Sequence, residues 1–245
     1  GMRGPAHGFR VGEQTYETGM GTKPALNNSS AAPLILAAHY DTVEGSPGAD
    51  DNASSLAVLI EVARRLQRTP LARPVQFVAF CLEEEDLLGS RAYVAHLAKT
   101  GQPLHGAIVL ECVGYASEQE GSQRTPPGIP VAVPSVGNFL ALIGNQASAQ
   151  LTTTLTQAMT PMIPVVPLIV PGNGEQLPDT RRSDHTAFWE QGFAAVMVTD
   201  TANFRNPHYH RSTDTIDTLN LKFLTSVADA VTNAVLALAA MPERP

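Results

Sequence analysis

Four short runs of apolar residues, each bounded by turn-forming residues, constrain the fold of this 245-residue chain more than any other feature. The runs read APLILAAHYD, PVQFVAFCL, GAIVLECVG and FAAVMVTD. Runs that are apolar on both faces are typical of buried strands in a parallel sheet. Segments with helical spacing of apolar residues lie between them. The sequence therefore predicts an α/β fold, a three-layer α/β/α sandwich around a mostly parallel central sheet.

The remaining segments give the order of elements along the chain. Apolar spacing predicts helices over four ranges, 56–66, 86–99, 138–152 and 221–238. Residues 114–135 are crowded with Gly, Pro, Ser and charge, and residues 160–182 hold five prolines at positions that forbid a regular helix. Both segments are predicted to be loops.

The domain organisation follows from where the alternation of predicted strands and helices begins. Residues 1–32 are rich in Gly, Thr, Asn and Ser and show no clear period, which predicts an N-terminal arm or a loose edge strand. No internal repeat and no long linker divides the rest of the sequence. Residues 33–245 are therefore predicted to form a single domain.

Composition excludes some classes of function. The formal net charge of −7 argues against a nucleic-acid partner, which would require a basic surface. No uninterrupted apolar run approaches the roughly 20 residues of a membrane span, so none is predicted. The two cysteines, Cys81 and Cys112, cannot form a disulfide framework and are predicted to be free thiols. Localisation and oligomeric state are left open by these observations.

Ionisable residues follow the ends of all four predicted strands. His39 and Asp41 end the first, and Asp50 and Asp51 follow in the next loop. The other strand ends bring Glu83, Glu84, Glu85, Glu111, His208 and His210. Ligands of open α/β sheets bind outside the carboxyl ends of the strands. Carboxylates and imidazoles that meet there would need a cation to offset their charge, and this donor set suits zinc and related divalent ions.

Each of these residues has a plainer explanation when it is considered alone. A His-x-Asp pair is most often a surface pair, and Asp51 or Asn52 could cap the helix that follows. The acidic block Glu83–Asp86 could be the first turn of a helix, where carboxylates meet the positive end of the dipole. Convergence at one sheet edge favours the metal interpretation. Glu85 and Asp86 remain predicted as solvated acids at a helix start.

Five segments together resemble the M28 family of di-zinc aminopeptidases. They are HYDTV, PGADDNASSLAVLIEVAR, EEEDLLGSRAYV, RSDHTAFW and NPHYHRSTDT, in order from about residue 33 to residue 240. The resemblance implies the zinc-dependent exopeptidase fold, of the phosphorylase/hydrolase-like type, with a mixed and mostly parallel sheet. It also implies two Zn²⁺ ions as cofactors, with other divalent transition metals fitting the same ligands.

The resemblance further implies a metal ligand set. Its members are His39, Asp51, Glu84, Glu111 and His210. Asp51 would bridge the two ions, His39 and Glu111 would complete the first site, and Glu84 and His210 the second. The family commonly has aspartate where this chain has Glu111, and some bacterial members have glutamate. In the family the bridging aspartate precedes a cis peptide bond, which implies a cis bond between Asp51 and Asn52.

Three more residues receive roles from the same resemblance. Glu83 would be the general base, because the register EE-x-x-x-x-GS places it by counting back from Gly89 and Ser90. Asp41 would accept a hydrogen bond from His39 and orient its ring. Tyr209 occupies the place of a tyrosine that helps to stabilise the oxyanion in some relatives.

The implied reaction is hydrolysis of an N-terminal peptide bond by a water that bridges the two ions. The partner would be a peptide or aminoacyl substrate with a free N-terminus, and loops 114–135 and 160–182 would form its rim. Two alternatives stay open, a glutaminyl-cyclase-like acyltransferase on the same fold and a binding relative without catalysis. An M20-type peptidase is disfavoured, because the 71 residues between Glu111 and Ser183 are too few for its lid domain.

Overall fold

The computed structural model describes residues 6–26 and 29–240. Its strands are β1 His7–Val11, β2 Gln14–Lys23, β3 Leu34–His39, β4 Val75–Phe80, β5 Gly106–Glu111, β6 Leu140–Asn145, β7 Val165–Val170 and β8 Ala195–Thr199. Its helices are α1 Ser55–Leu66, α2 Leu88–Thr100, α3 Ala149–Met159, α4 His185–Glu190 and α5 Leu221–Ala239.

The eight strands form one mixed sheet in the order β1-β2-β4-β3-β5-β8-β6-β7. The four central strands β4, β3, β5 and β8 are parallel. Strands β2 and β6 run antiparallel to their central neighbours. The carboxyl ends of the four central strands therefore lie at one edge of the sheet, which is the edge that positions the site.

Alternate residues of the strands point to the two faces of the sheet, and each face has its own hydrophobic core. In β3, Leu34 and Leu36 pack with α1, α3 and α5, whereas Ile35 and Ala37 pack with α2 and α4. Side chains of a strand alternate between faces, so these continuous apolar runs can bury both sides. The predicted α/β/α sandwich with a mostly parallel mixed sheet is confirmed.

The predicted helix over 138–152 is wrong in its first half. Residues Leu140–Asn145 form β6, and α3 begins only at Ala149. All six residues of β6 are buried. A short buried apolar run does not by itself distinguish a strand from a helix, and here tertiary packing selects the strand.

The predicted loop 160–182 also contains a strand, β7, with Pro167 in its middle. Proline lacks the N–H that a ladder requires, so it is tolerated mainly in edge strands. Strand β7 is the outermost strand at its side of the sheet. Its position therefore explains why the proline does not prevent strand pairing.

The N-terminal segment forms a hairpin within its described part. Strand β1 pairs with β2, and β2 pairs with β4. Residues 1–5 and 27–28 of the predicted arm lie outside the described residues, as do residues 241–245 of the predicted domain. The hairpin extends the sheet on the side away from β6 and β7.

Helix α5 is, within the described chain, the one helix long and apolar enough by length and composition to cross a membrane. The sequence-based prediction of no membrane span considered only uninterrupted apolar runs. Polar residues interrupt α5, so that criterion did not identify it. Phe223, Val227 and Val231 of α5 are buried in the core that it shares with α1 and α3. Core helices of globular proteins pass the same length and composition test.

Both cysteines are buried free thiols, as predicted. Cys81 follows β4 and Cys112 follows β5, and β3 lies between those two strands. The strand order therefore separates the two thiols.

Candidate metal centre

The structure brings together all five residues predicted as metal ligands. His39 is the last residue of β3 and Glu111 the last residue of β5. Glu84 follows β4, and His210 lies in the segment between β8 and α5. Asp51 comes from the turn Ala49–Ser54, which connects β3 to α1. They form two groups of three, His39–Asp51–Glu111 and Asp51–Glu84–His210, in each of which the donor atoms lie within 4.8 Å of one another.

Asp51 belongs to both groups and presents a different oxygen to each. Its Oδ1 lies 3.2 Å from His39 Nε2, and its Oδ2 lies 3.0 Å from His210 Nε2. Glu111 Oε2 is 3.4 Å from His39 Nε2 in the first group. Glu84 Oε2 is 3.3 Å from His210 Nε2 in the second. One carboxylate therefore joins two otherwise separate sets of donors.

Several donor atoms of this cluster are buried without a hydrogen-bond partner. They include His39 Nε2, Asp51 Oδ1 and Glu84 Oε1. A buried polar atom without a partner costs about 1–3 kcal/mol, so such atoms are rare unless a ligand satisfies them. Imidazole nitrogens and carboxylate oxygens in this arrangement fit divalent metal ions such as zinc.

Electrostatics in the cluster favour a bound cation. Burial acts to lower the pKa of His39, but Glu111, Asp41 and Asp51 together raise that pKa well above its ordinary value. Hydrogen bonds that its ring donates to Asp51 and Glu84 raise the pKa of His210 to about 9. The carboxylates thus attract positive charge to both imidazoles. A metal ion would take the place of those protons.

Glu83 lies beside the cluster but belongs to neither group. Its Oε2 is 3.9 Å from His39 Nε2, and its side chain is 9% exposed. Burial raises the pKa of Glu83 well above its ordinary value, and Glu111 raises it further against the opposing effect of His39. Glu84, its neighbour in sequence, points into the second group. The two carboxylates therefore have separate environments.

Asp41 contacts His39 in a way that the sequence did not predict. His39 Nδ1 lies 3.0 Å from the backbone carbonyl oxygen of Asp41 and 3.6 Å from its Oδ1. The carboxylate oxygen Oδ2 instead accepts a hydrogen bond from the Glu84 amide at 3.1 Å. Asp41 thus connects a donor of the first group to the backbone of a donor of the second.

Tyr209 packs directly against the second group. Its ring stacks on the His210 ring with centroids 3.8 Å apart. Its hydroxyl accepts a hydrogen bond from Arg182 Nη2 at 3.1 Å, and burial raises the pKa of Tyr209. The hydroxyl is therefore neutral, and its own hydrogen is free to be donated.

Three other predicted residues lie outside both groups. His208 Nδ1 is 2.9 Å from Thr213 Oγ1. Glu85 and Asp86 are exposed, but α2 begins only at Leu88. They therefore precede the helix and do not form its first turn, and Asp86 pairs with Arg91 at 2.6 Å.

The turn that carries Asp51 is held by buried residues that the sequence did not single out. Asp214 accepts hydrogen bonds from the amides of Asp50 and Asp51 at 3.0 to 3.2 Å. Asp50 does not face the donor groups. Its carboxylate accepts from the Gly114 amide at 2.9 Å and from Asn206 Nδ2 at 2.7 Å. The predicted cis peptide bond between Asp51 and Asn52 is confirmed.

The RSDHTAFW segment supplies one hydrogen bond to the site and one buried carboxyl group. Ser183 Oγ donates a hydrogen bond to Glu111 Oε2 at 2.7 Å. Asp184 is fully buried, and burial raises its pKa to about 7. The resemblance included this segment but implied no role for either residue. The presence of this segment among the five that carry the resemblance was the signal in the sequence that could have identified them.

Backbone strain is concentrated beside the donors. Leu82, Cys112 and His210 have left-handed φ values of 55°, 47° and 58°. Non-glycine residues rarely adopt this region, and such strain gathers at functional sites. Leu82 precedes Glu83, and Cys112 follows Glu111. Three of the non-glycine residues with positive φ are therefore Glu83's neighbour, Glu111's neighbour and the donor His210 itself.

A cavity of about 90 Å³ opens beside Glu111 and Tyr209. Its apolar lining residues are Ile129, Val131, Val133, Phe139, Ala141, Ile143, Val166, Leu168, Met197 and Phe204. Most of them come from β6, β7, β8 and the two segments predicted as a substrate rim, whereas Phe139 directly precedes β6 and Phe204 lies after β8. We call this cavity the apolar pocket. Its lining also includes Glu111 of the first donor group, and Tyr209.

The fold and the site together define a class. An α/β/α sandwich with a mostly parallel sheet is the fold of the zinc aminopeptidases, and the donor set lies at the carboxyl edge of its central strands. The sequence model of peptidase family M28 matches residues 23–235. The chain belongs to that family.

Two curated relatives illustrate the similarity. The chain is 35% identical over 216 residues to the uncharacterized protein YfbL of Escherichia coli, covering 81% of this chain and 64% of that protein. It is 29% identical over 234 residues to the aminopeptidase YwaD of Bacillus subtilis, covering 91% of this chain and 44% of that protein. The chain thus spans less than two thirds of the length of either relative.

Solved structures of aminopeptidases and a glutaminyl cyclase are also similar to this chain. A zinc aminopeptidase from Bacillus subtilis matches with a TM-score of 0.74 and 26% identity, over 95% of this chain and 52% of that one. A glutaminyl cyclase from Fimbriiglobus ruber matches with a TM-score of 0.64 and 18% identity, over 95% of this chain and 80% of that one. The similarity to the cyclase shows a shared fold alone.

Proposed function

We propose that the protein is a metal-dependent aminopeptidase that hydrolyses N-terminal peptide bonds with two Zn²⁺ ions as cofactors. The observation that carries this proposal is the position of Asp51, which presents one oxygen to each of two donor groups. His39 and Glu111 would hold one ion, and Glu84 and His210 the other. A pair of divalent ions held there would supply Lewis acidity and activate a water for attack on the peptide carbonyl.

Glu83 is the proposed general base. Its Oε2 lies 3.9 Å from His39 Nε2 and it belongs to neither donor group, so its carboxylate is free to take the proton of the attacking water. The same group then holds that proton for the departing amine. Proton transfer by a positioned carboxylate contributes about 10²–10⁴-fold to turnover.

Asp41 and Tyr209 have supporting roles in this proposal. Asp41 orients His39 mainly through its backbone carbonyl, and its carboxylate fixes the Glu84 amide. The Tyr209 hydroxyl accepts from Arg182, which leaves its hydrogen to donate to the carbonyl oxygen as negative charge develops there. In both roles, hydrogen bonds hold the group in position before the reaction begins.

The apolar pocket is proposed to bind the side chain of the N-terminal residue. It adjoins Glu111 of the first donor group, and its lining is mainly apolar. An apolar side chain enters such a pocket without losing hydrogen bonds to water, whereas a carboxylate would lose its hydration. The pocket therefore favours substrates with a large aliphatic or aromatic N-terminal residue.

Aminoacyl p-nitroanilides test the reaction and the preference together. With zinc supplied, we expect kcat/KM for Leu or Phe substrates to exceed that for Ala by about tenfold or more, and Glu substrates to be poor. Ala141→Phe fills the apolar pocket and should remove the advantage of Leu over Ala. Ala95→Phe, at an exposed position of α2, is the matched control and should keep it.

Other outcomes of this assay would contradict the proposal in different ways. An unchanged Leu-to-Ala ratio in a folded Ala141→Phe variant would show that the apolar pocket does not bind the side chain. Cyclisation of glutaminyl substrates without hydrolysis would identify an acyltransferase. Zinc-loaded protein without either activity would favour a binding relative.

A further inference from the structure

A second cavity, of about 430 Å³, has a polar lining. Three arginines line it, Arg124, Arg205 and Arg211, together with polar residues of the segment 115–122. Arg211 follows His210 in the chain, and the segment begins four residues after Glu111. We call this cavity the arginine pocket.

The positive charge of the arginine pocket is not offset by its lining. None of the described residues that line it is Asp or Glu. Arg124 and Arg211 form no ion pair with any acid of the described chain, whereas Arg64, Arg65 and Arg91 each pair with a carboxylate. Arg124 donates a hydrogen bond to the Asn203 carbonyl, and Asp200 and Asp50 partly offset the charge of Arg205 from outside the lining. A cavity lined by three arginines and no carboxylate is nevertheless suited to an anion.

Arg205 gives independent support, because it is buried and incompletely satisfied. It is 6% exposed. Its Nε donates to Gln123 Oε1 at 2.8 Å and its Nη1 to the Tyr115 carbonyl at 3.3 Å. Its guanidinium carbon lies 4.6 Å from the centroid of the Phe139 ring. Its Nη2 has no hydrogen-bond partner among the described residues, and a buried donor of this kind indicates a missing acceptor.

The two pockets share their walls. Gln123, Phe204 and Tyr209 line the apolar pocket, and Arg124 and Arg205 line the arginine pocket from the same two segments. Residues 123–124 and 204–205 therefore contribute to both pockets, and Arg211 of the arginine pocket directly follows the donor His210 in the chain. If the N-terminal side chain fills the apolar pocket, the arginine pocket is available to the part of the substrate beyond the scissile bond.

We propose that the arginine pocket binds a carboxylate of the substrate on the leaving-group side of the scissile bond. This inference rests on the proposed aminopeptidase function. The fork of an arginine side chain matches a carboxylate in shape and charge, and such hydrogen bonds are stronger than neutral ones. The carboxylate is the C-terminus of a short peptide or the side chain of an acidic residue.

Peptides that differ only in that carboxylate test the inference. One series is Leu-(Ala)n with n from 1 to 4, each with a free or an amidated C-terminus. A second series has an amidated C-terminus and places Glu or Gln at each position after Leu. We expect the acid form to exceed its neutral partner in kcat/KM by about tenfold at one length or one position. A preference for the acid form in the first series would show that the pocket binds the C-terminal carboxylate. A preference in the second series would show that it binds an acidic side chain.

Variants assign that preference to the arginine pocket. Arg211→Gln and Arg124→Gln should bring the acid-to-neutral ratio close to one, and the ratio cancels any general change in activity. Arg68→Gln removes the same charge from an exposed position just after α1 and should leave the ratio unchanged. The inference is overturned if parent protein shows no preference in either series, or if the preference survives in both pocket variants.

A binding measurement separates this inference from the aminopeptidase proposal. N-acetyl-Ala-Ala has a carboxylate but no free amino group, and its amide is the neutral control. We expect the acid, and not the amide, to shift the side-chain Nε–H NMR signals of Arg205 and Arg211. Absence of hydrolysis with these shifts present would reject the aminopeptidase and keep the pocket. Hydrolysis by the protein with no shift of these signals at millimolar peptide would keep the aminopeptidase proposal and reject carboxylate binding in the arginine pocket.

Discussion

Glu83→Gln is expected to lower kcat by about 10²–10⁴-fold while the zinc content stays near that of the parent. The amide has nearly the same shape as the carboxylate but cannot accept the proton of the attacking water. Glu83 belongs to neither donor group, so its replacement leaves every proposed ligand in place. Turnover of a Leu substrate and elemental analysis of the same sample measure the two quantities.

Glu84→Gln is the neighbouring control, and its expected result is the opposite. Glu84 Oε2 lies in the second donor group, 3.3 Å from His210 Nε2, so its loss should weaken metal binding directly. Excess zinc should restore part of the activity of this variant and none of that of Glu83→Gln. Equal loss of metal in both variants would show that the proposed division of roles is wrong.

Gly89→Ala is expected to destabilise the fold strongly. A Cβ at Gly89 would lie 2.0 Å from the Cys81 carbonyl oxygen and 3.0 Å from its carbonyl carbon. These are backbone atoms just after β4, so the clash can be relieved only if α2 moves away from the end of β4. Overpacking costs typically 1–3 kcal/mol and occasionally more. We expect about 3 kcal/mol or more, which corresponds to a fall in Tm of about 6–12 °C.

The same contact connects stability to the site. Glu83 and Glu84 lie in the turn between Cys81 and Gly89, so displacement of α2 should also reduce activity at temperatures where the variant is folded. Gly8→Ala is the control, since a Cβ there would meet its nearest neighbour, the Tyr16 carbonyl oxygen, at 3.9 Å. Thermal unfolding should show little change for Gly8→Ala. An equally small change for Gly89→Ala would contradict the close packing described.

The location of the site was predictable from the sequence, because the carboxyl ends of parallel strands lie at the same edge of a sheet. His39 and Glu111 end two buried apolar runs, and Glu84 follows a third, so the fold class alone places them at one edge. The hydrophobic pattern that defines the strands therefore also locates the donors. The assignment of Glu83 and Glu84 to different roles came from family resemblance, because two adjacent carboxylates look alike in the sequence.

Features that depend on long-range packing were not predictable. The segment 138–152 has helical spacing, but burial on both faces makes Leu140–Asn145 a strand. Asp214 holds the turn of Asp51 from 163 residues away. The apolar pocket combines residues of three strands and several connecting segments, and no local pattern marks them. Such contacts are decided by how elements pack and leave no periodic signal.

The zinc content of each chain tests the central claim most directly. Purified protein should be incubated with excess zinc, passed through a desalting column and measured for zinc and protein concentration. The shared carboxylate of Asp51 predicts two zinc ions per chain, falling in a folded Asp51→Ala variant. One ion per chain in the parent, or two ions that Asp51→Ala retains with unchanged affinity, would contradict a two-metal site bridged by Asp51.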